Sequence, residues 1–302
     1  MAPLLFAGCA SNRGAIRADE PVAVKKAAAA EASGAEAYRE GDLEDALQEF
    51  KEALRLNRAI DNRHGEALDL INIGRASVAL GRFEEAKNSL NEAIGLSKEI
   101  GDERLLSEAL ATIAMADYAL KDYFPALGRI EESLAIDDRL GYKTGSKLNI
   151  KALILADSRM EGAEDALKKA LEANRRSDDK MEEANSLRAL GQLYASGEKP
   201  KEALEFFSKA YGIDSTLGDS GKIALDLNAM AEIHKKAGRA DEAVSLFERA
   251  YKVSLNSGMD GDALKSIDSI IAIYKEMNDE GKAEIYMKIK EEMRKPQARG
   301  QR

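Results

Sequence analysis

Seven alanines recur along this chain at a nearly constant spacing, and that register constrains the fold more than any other feature. The intervals between successive members are 40, 40, 40, 37, 40 and 40 residues. A fixed period of this length indicates a repeat protein, in which each repeat is one supersecondary unit that stacks on its neighbours. The seven members are Ala46, Ala86, Ala126, Ala166, Ala203, Ala243 and Ala283.

The stretch from Leu187 to Ile213 shows what one repeat contains. Its sequence is LRALGQLYASGEKPKEALEFFSKAYGI. Apolar residues three and four positions apart form one stripe before Gly197 and a second stripe after Pro200, which is the pattern of two amphipathic helices. The sequence therefore predicts about seven helical hairpins and an all-α fold.

Glycines lie where these helices are expected to end. Glycine readily adopts the left-handed backbone conformation that commonly closes a helix. We predict this conformation after the first helices, at Gly41, Gly81, Gly197 and Gly238, and we predict that the second helices end at Gly101, Gly141, Gly218 and Gly258. Asp102 and Asp219 follow two of these glycines and are predicted to cap the next helix.

Small residues also lie inside the first helices, twelve positions before the alanine in most repeats. Gly34, Gly74 and Gly191 are the smallest of them. A glycine inside a helix costs about 1 kcal/mol relative to alanine, so we predict that a neighbouring helix packs directly against each one. The interval of 37 residues between the fourth and fifth repeats predicts helices shortened by nearly a turn around residues 175–180.

The repeat resembles the tetratricopeptide repeat in a long, 40-residue form, on the residues Leu187, Leu190, Gly191, Tyr194, Ala203, Phe207 and Ala210. The aromatic residue that usually opens the family's consensus is replaced by Leu or Ile, and the proline that commonly closes each unit is absent. The resemblance implies a right-handed α-solenoid, a superhelix of about seven helix-turn-helix units over residues 22–294. It also implies a protein- or peptide-binding role, because members of this family are mostly binding scaffolds.

In this family the first helices line the concave face, and peptides are usually held there by polar residues at defined consensus positions. Carrying these positions over implies a groove lined by Asn72, Arg75, Lys151, Asn185, Arg188, Gln192, Asn228 and Glu232, with Lys265 and Asp268 in the last repeat. Amide side chains both donate and accept hydrogen bonds, so the three asparagines suit a peptide backbone. The alternative is that these are ordinary solvated polar residues, which are common on helix faces.

Charge and composition exclude several other classes of function. The net charge is −9, which argues against nucleic acid as the main ligand because phosphate binding needs a surplus of Lys and Arg. Cys9 is the single cysteine, so a Cys-based metal cage is excluded, and His64 and His234 share no ligand spacing. We expect no metal and no cofactor. No run approaches the roughly 18 apolar residues of a membrane-spanning helix.

Residues 1–21 are predicted to hold a targeting signal and a tether. The sequence Phe6-Ala7-Gly8-Cys9 resembles the lipobox of bacterial lipoproteins, in which the cysteine is lipidated. The charged start of such a signal is missing and its apolar segment is short, which we attribute to a start site lying further upstream. Ala10 after the cysteine implies the outer membrane. The alternative is a disordered cytoplasmic N-terminus with an incidental thiol. Residues 295–302 are expected to form a basic, disordered tail.

Some patterns that suggest chemistry have simpler interpretations. Gly218-Asp219-Ser220-Gly221 is similar to the nucleophile loop of serine proteases, but the register assigns it to a turn between repeats. His234 lies at the position of Tyr194 in the repeat and is predicted to be a half-buried core residue. The aspartate pairs at residues 137–138 and 178–179 are predicted to be solvated turn residues. The methionines Met230, Met277, Met287 and Met293 are predicted to be core.

The sequence thus favours a non-catalytic scaffold for a protein or an extended peptide, with its oligomeric state left open. One interpretation is a lipid-anchored protein that faces the periplasm and assists assembly or secretion in a bacterial envelope. The second is a cytoplasmic regulator that senses a peptide in its concave groove. An enzyme is the third possibility, and no constellation of catalytic residues supports it.

Overall fold

The computed structural model describes residues 22–294, and this range is all-α. It contains fourteen helices in seven consecutive pairs along the chain, which we call hairpins, so the predicted fold class is confirmed. The helices are α1 (Val22–Glu40), α2 (Leu43–Ala59), α3 (Arg63–Ala79), α4 (Phe83–Ile100), α5 (Glu103–Ala119), α6 (Tyr123–Leu140), α7 (Gly145–Asp157), α8 (Ala163–Arg176), α9 (Lys180–Ser196), α10 (Pro200–Leu217), α11 (Ser220–Lys236), α12 (Ala240–Asn256), α13 (Asp260–Glu276) and α14 (Glu280–Arg294). No helix in this range is long and apolar enough to span a bilayer.

The helices fall into two compact units that divide the fourth hairpin between them. The first unit ends at Ala163, and the second begins at Glu164. The prediction of shortened helices around residues 175–180 is confirmed for α8, which has 14 residues, and is wrong for α9, which has 17. The shortest helix is α7, with 13 residues, and its shortening was not predicted. In the first unit α2, α4 and α6 each pack against their own first helix and against the first helix that follows, and in the second unit α10 and α12 do the same.

Inside the hairpins, the small residues of the first helix lie against large side chains of the second. A methyl group added to Gly74 would lie 2.5 Å from Leu90 Cγ, which is far below van der Waals contact. The equivalent distances are 2.8 Å from Gly34 to Phe50 and 3.0 Å from Gly191 to Phe207. Glycine is therefore required by close packing, as predicted, and all seven register alanines are buried.

Most of the predicted helix ends are confirmed. Gly101, Gly141 and Gly218 have φ near +70° and close their helices, and the carboxylates of Asp102 and Asp219 each accept a hydrogen bond from the backbone at 3.0 Å. Gly218 and Asp219 thus form a turn and a helix cap, so the turn interpretation of the protease-like sequence is correct.

The prediction for Gly197 is wrong. Its φ is −85°, and the next residue, Glu198, adopts the left-handed conformation with φ +57°. Glu198 lies five residues before Ala203, and Gly238 likewise lies five residues before Ala243 in the next hairpin. The left-handed position is therefore set by its distance from the second helix, and in this hairpin a glutamate occupies it.

The core predictions hold for His234 and fail for one methionine. His234 is half-buried, and burial lowers the pKa of its imidazole, as expected for a core histidine. Met230 is buried, and Met287 and Met293 are half-buried. Met277 is 46% exposed because it lies just beyond the end of α13, where the chain turns away from the packed face.

Candidate binding face

First helices of successive hairpins lie next to one another within each compact unit. In the first unit α3 contacts α5 and α5 contacts α7, and in the second unit α11 contacts α13. Most of the predicted groove residues lie on these helices, and Asn185, Arg188 and Gln192 lie on α9. The two units are described separately below, since each brings a different set of polar groups together.

In the first unit, Asn72 and Arg75 of α3 are buried by the stack. The guanidinium Nη1 of Arg75 donates a hydrogen bond to Asn72 Oδ1 at 3.3 Å, and its Nη2 forms an ion pair with Glu108 of α5. The two side chains are only 5% and 8% exposed. Arg75 therefore joins neighbouring first helices and has little surface left for a ligand.

The same network continues into the fourth hairpin through Lys147 of α7. Its ammonium Nζ lies 2.7 Å from Asp137 Oδ2, 2.8 Å from Ser107 Oγ and 3.6 Å from Glu108 Oε1. Asp137 is 2% exposed, so its interpretation as a solvated turn residue is wrong, although its neighbour Asp138 is exposed as predicted. Consecutive helix residues point about 100° apart, which separates the two carboxylates.

Lys151, one helical turn after Lys147, is also engaged. Its ammonium lies 2.7 Å from Glu131 Oε1, and its side chain is 27% exposed. An ion pair of this kind at a partly exposed position contributes at most about 1 kcal/mol and is easily exchanged. Lys151 is thus the predicted groove residue of the first unit that a ligand would reach most readily.

In the second unit, Arg188 of α9 lies at the centre of a buried cluster. Its Nε donates to Asp226 Oδ1 at 2.7 Å, and its Nη2 contacts Asp226 Oδ2 at 3.2 Å and also bonds to Asp214. The remaining Nη1 donates to Asn185 Oδ1 at 3.0 Å. The same oxygen accepts from Lys222 Nζ at 2.8 Å. Arg188 has no nitrogen left for a groove ligand.

The two aspartates of this cluster are fully buried, and each has a raised pKa. Burial raises the pKa of Asp226 to about 7; the Arg188 guanidinium opposes this effect, and the charge of Asp214 adds to it. Burial likewise raises the pKa of Asp214 against the attraction of Arg188 and Lys222. Both carboxyl groups bond to the same nitrogen, Nη2 of Arg188, and the buried Oδ1 of Asp214 has no hydrogen-bond partner among the described residues.

Three predicted residues of the second unit keep polar groups open to solvent. Gln192 of α9 is exposed and makes no hydrogen bond with any residue between 22 and 294. Asn228 of α11 accepts one from Ser266 Oγ at 2.9 Å through its Oδ1, and Glu232, one turn further on, is half-buried. We call Gln192, Asn228 and Glu232 the candidate binding face. The two predicted groove residues of the last hairpin are both exposed: Lys265 forms an ion pair with Asp262, and Asp268 forms one with Lys290.

The buried polar residues at the junctions between hairpins were not predicted, although a signal for them exists. In most repeats a polar residue lies eleven positions after the register alanine, as Asn57, Ser97, Asp137, Asp214 and Ser254 do, and all five are buried. A polar residue at a constant register position in a packed helix indicates a polar junction with the next hairpin. Asn57, Asp137 and Asp214 are hydrogen-bonded there, whereas the buried Oγ atoms of Ser97 and Ser254 have no partner among the described residues.

Metal chemistry finds no support in the part of the chain that the structure describes. No group of three or more His, Cys, Asp or Glu side chains there is arranged to hold a metal ion. Cys9, the predicted lipidation site, lies outside the described residues, as do the predicted tether and the basic tail.

Sequence models of the tetratricopeptide repeat match three ranges of the chain. One model matches residues 27–99 and 144–216, and a second matches residues 227–258. Together these ranges cover more than half of the chain. No curated protein matches it by sequence.

Solved structures of similar fold cover most of the chain at low identity. Aspartyl phosphate phosphatase F from Bacillus subtilis is 16% identical over 90% of this chain and 71% of its own, with a TM-score of 0.66. The apo form of the quorum sensor NprR from B. thuringiensis is 12% identical over 88% and 87%, with a TM-score of 0.58. A Rap protein complexed with Competence and Sporulation Factor is 19% identical over 90% and 95%, with a TM-score of 0.57. At these identities the likeness concerns the fold alone.

Proposed function

Because the chain belongs to the tetratricopeptide repeat family, we propose that it is a non-catalytic scaffold that binds a protein or an extended peptide along its first helices. The observation that carries this proposal is the candidate binding face. There, Gln192 keeps its whole amide group exposed, and Asn228 keeps its Nδ2 donor, since only its Oδ1 is bonded to Ser266. Together these two amides can donate and accept, so they match the alternating N–H and C=O groups of an extended backbone.

The two buried arginines reduce the number of predicted groove residues that can contact a ligand. Arg75 and Arg188 hold neighbouring helices together through carboxylates, so they support the face without touching a ligand. The similarity in fold to a Rap protein solved with Competence and Sporulation Factor and to the quorum sensor NprR is in keeping with a binding role. We therefore assign recognition to the exposed amides and to Glu232.

The test is a double substitution, Gln192→Ala with Asn228→Ala, in the full chain. Binding to an array of synthetic extended peptides of varied sequence should fall at least tenfold for the peptides that the unaltered chain retains, while the helical content stays unchanged. The matched control is Lys201→Ala with Glu205→Ala, on the exposed side of α10 in the same hairpin. Equal retention by the double variant, or an equal loss in the control, contradicts the proposed face.

We propose that this scaffold acts on the periplasmic side of a bacterial envelope, anchored at the outer membrane through Cys9. The sequence Phe6-Ala7-Gly8-Cys9 supports this placement. Several acyl chains anchor a protein stably, because each buried CH₂ contributes about 0.8 kcal/mol. Mass spectrometry of the mature N-terminus tests it: the chain should begin at Cys9 and carry acyl mass. An N-terminus that retains residues 1–8 without acyl mass would favour the cytoplasmic alternative.

A further inference from the structure

Two fully buried carboxyl groups meet at the junction between the fifth and sixth hairpins. Asp214 near the end of α10 and Asp226 in α11 are both 0% exposed, and Nη2 of Arg188 bonds to both of them. Two carboxylates that share one buried site disfavour each other's ionisation, because burial and like charge both favour the neutral form. The arrangement therefore favours one proton on this pair of side chains.

The charges around the pair leave the second carboxylate uncompensated. Arg188 of α9 is the cation that bonds to both carboxyl groups. Lys222 of α11 acts on Asp214 through its charge, but its ammonium hydrogen bonds to Asn185, and Asp219 at the start of α11 adds a negative charge. Two buried carboxylates beside one guanidinium would carry a net negative charge.

We propose that Asp214 and Asp226 share one proton in the folded chain, and that this proton makes the junction between the fifth and sixth hairpins weaken as the pH rises. The pair acts as one titrating unit, so the proton belongs to both residues together. This property goes beyond the proposed binding role and does not depend on it.

The direction of the pH effect follows from the raised pKa of Asp226, which burial moves to about 7. An unfolded aspartate has a pKa of about 3.9. The folded chain therefore binds more protons than the unfolded chain at intermediate pH. The stabilisation is complete below the unfolded pKa, falls as the pH rises toward about 7, and is lost above it.

The first compact unit contains a register-equivalent carboxyl group with a different partner. Asp69, five residues before Gly74, corresponds to Asp226, five residues before Ala231. Its Oδ2 accepts from Asn57 Nδ2 at 2.6 Å, and burial raises the pKa of Asp69 to about 7. The stability of the chain should thus keep some dependence on pH when the Asp214–Asp226 pair is removed. The experiment must therefore compare the pH dependence of the variants with that of the unaltered chain.

The decisive variant is Asp226→Asn in the full chain, because an amide mimics the protonated carboxyl and can donate to Asp214. Thermal unfolding is followed between pH 5 and 9. The melting temperature of the variant should exceed that of the unaltered chain by an amount that grows from pH 5 to 7 and then levels off. Glu205→Gln, on the exposed side of α10, removes the same charge and should show no such growth.

Asp214→Asn provides the second variant and should give the same trend. Unfolding the unaltered chain at pH 6 should also release about one proton more than unfolding Asp226→Asn, since the unfolded aspartates ionise. A difference in melting temperature that is constant across pH overturns the proposal. So does a trend equal to that of Glu205→Gln, or the failure of both asparagine variants to fold at pH 5, where an amide should replace a protonated carboxyl.

Discussion

The inside of each hairpin and the junction between hairpins are built on different principles. Within a hairpin, a small residue of the first helix accepts a large side chain of the second, as Gly74 accepts Leu90 and Gly191 accepts Phe207. This apolar contact recurs at the same register positions. It therefore explains why the chain folds as a repeat, but it does not distinguish one repeat from another.

The junctions are polar, and each has its own composition. One junction balances Asp137 with Lys147, and another places two aspartates beside Arg188. A third places an uncharged contact, Asn174 Nδ2 donating to Ser186 Oγ at 3.0 Å, beside an ion pair between Arg175 and Glu183. The difference teaches that the apolar hairpin interiors specify the architecture, while the polar junctions give the individual repeats their pH dependence and specific stability.

The largest expected effect is at Arg188, the one cation that bonds to both buried aspartates of its junction. Arg188→Met keeps most of the side-chain volume but leaves two buried carboxyl groups without their guanidinium. Removing one partner of a buried ion pair typically costs about 3–5 kcal/mol, because a buried charge remains uncompensated. We expect a loss of this size in urea unfolding at pH 8, and a smaller loss at pH 5, where the carboxyl pair keeps its proton.

The control for this substitution is Arg249→Met on α12. Arg249 is exposed and contacts Tyr211 through a hydrogen bond of 2.9 Å and its ring face. Its loss should cost less than about 1 kcal/mol, as is usual for exposed cation–π contacts. If Arg188→Met were as mild as the control, the buried cluster would not hold this junction together.

At the junction where Asp137 is paired with Lys147, replacing the aspartate by asparagine should lower the stability of the fold. At the junction with two aspartates, Asp226→Asn should raise it. Asp137→Asn leaves the ammonium of Lys147 buried with Ser107 and the more distant Glu108. Hydrogen bonds to charged groups contribute about 1.5–3 kcal/mol, so we expect a destabilisation of about 2–3 kcal/mol at pH 8.

The neighbouring Asp138→Asn is the control, since Asp138 is exposed and should change little. The measurement is urea unfolding of both variants under the conditions used for Asp226→Asn. Stabilisation by Asp137→Asn would mean that charge balance does not distinguish the two junctions.

The hairpin interior should respond to size and not to pH. Gly74→Leu forces a side chain into the space of Leu90, and overpacking of this kind typically costs about 1–3 kcal/mol. The loss should be the same at pH 5 and pH 8. Gly95→Leu in α4 is the matched control, because no atom lies within 4 Å of a methyl group added at Gly95. It should be neutral or stabilising, since leucine favours a helix over glycine.

The sequence predicts the hairpins because their information is local. A small residue twelve positions before the alanine and a large residue four positions after it encode the contact in each repeat. The junctions escape prediction because their partners come from different hairpins. Asp137 and Asp138 are both aspartates near a helix end, and only the position of α7 makes one of them a buried ion-pair partner.

The exposure of the predicted groove residues could be foreseen only in part, for the same reason. The resemblance to the repeat family selects residues by their position on the first helix, and of these Gln192 is exposed and Asn228 is half-buried. It also selects Arg75 and Arg188, whose guanidinium groups are used by carboxylates of neighbouring helices. The position of a residue on a helix indicates where its side chain points. Whether its polar atoms are already hydrogen-bonded within the stack depends on the adjacent repeats.

The smallest expected effect is at the turn between the two helices of a hairpin, and its physical origin differs from that of the effects in the interior and at the junctions. Glu198 has φ +57°, a conformation that costs an L-residue about 1–2 kcal/mol and costs glycine little. Glu198→Gly should therefore stabilise the chain by about 1 kcal/mol in urea unfolding at any pH. The reverse substitution, Gly238→Glu at the equivalent turn with φ +70°, should destabilise it by a similar amount. Because no atom lies within 4 Å of a methyl group added at Gly238, packing cannot account for that loss. Failure of the two substitutions to show opposite signs would contradict the assignment of the left-handed position by its distance from the second helix.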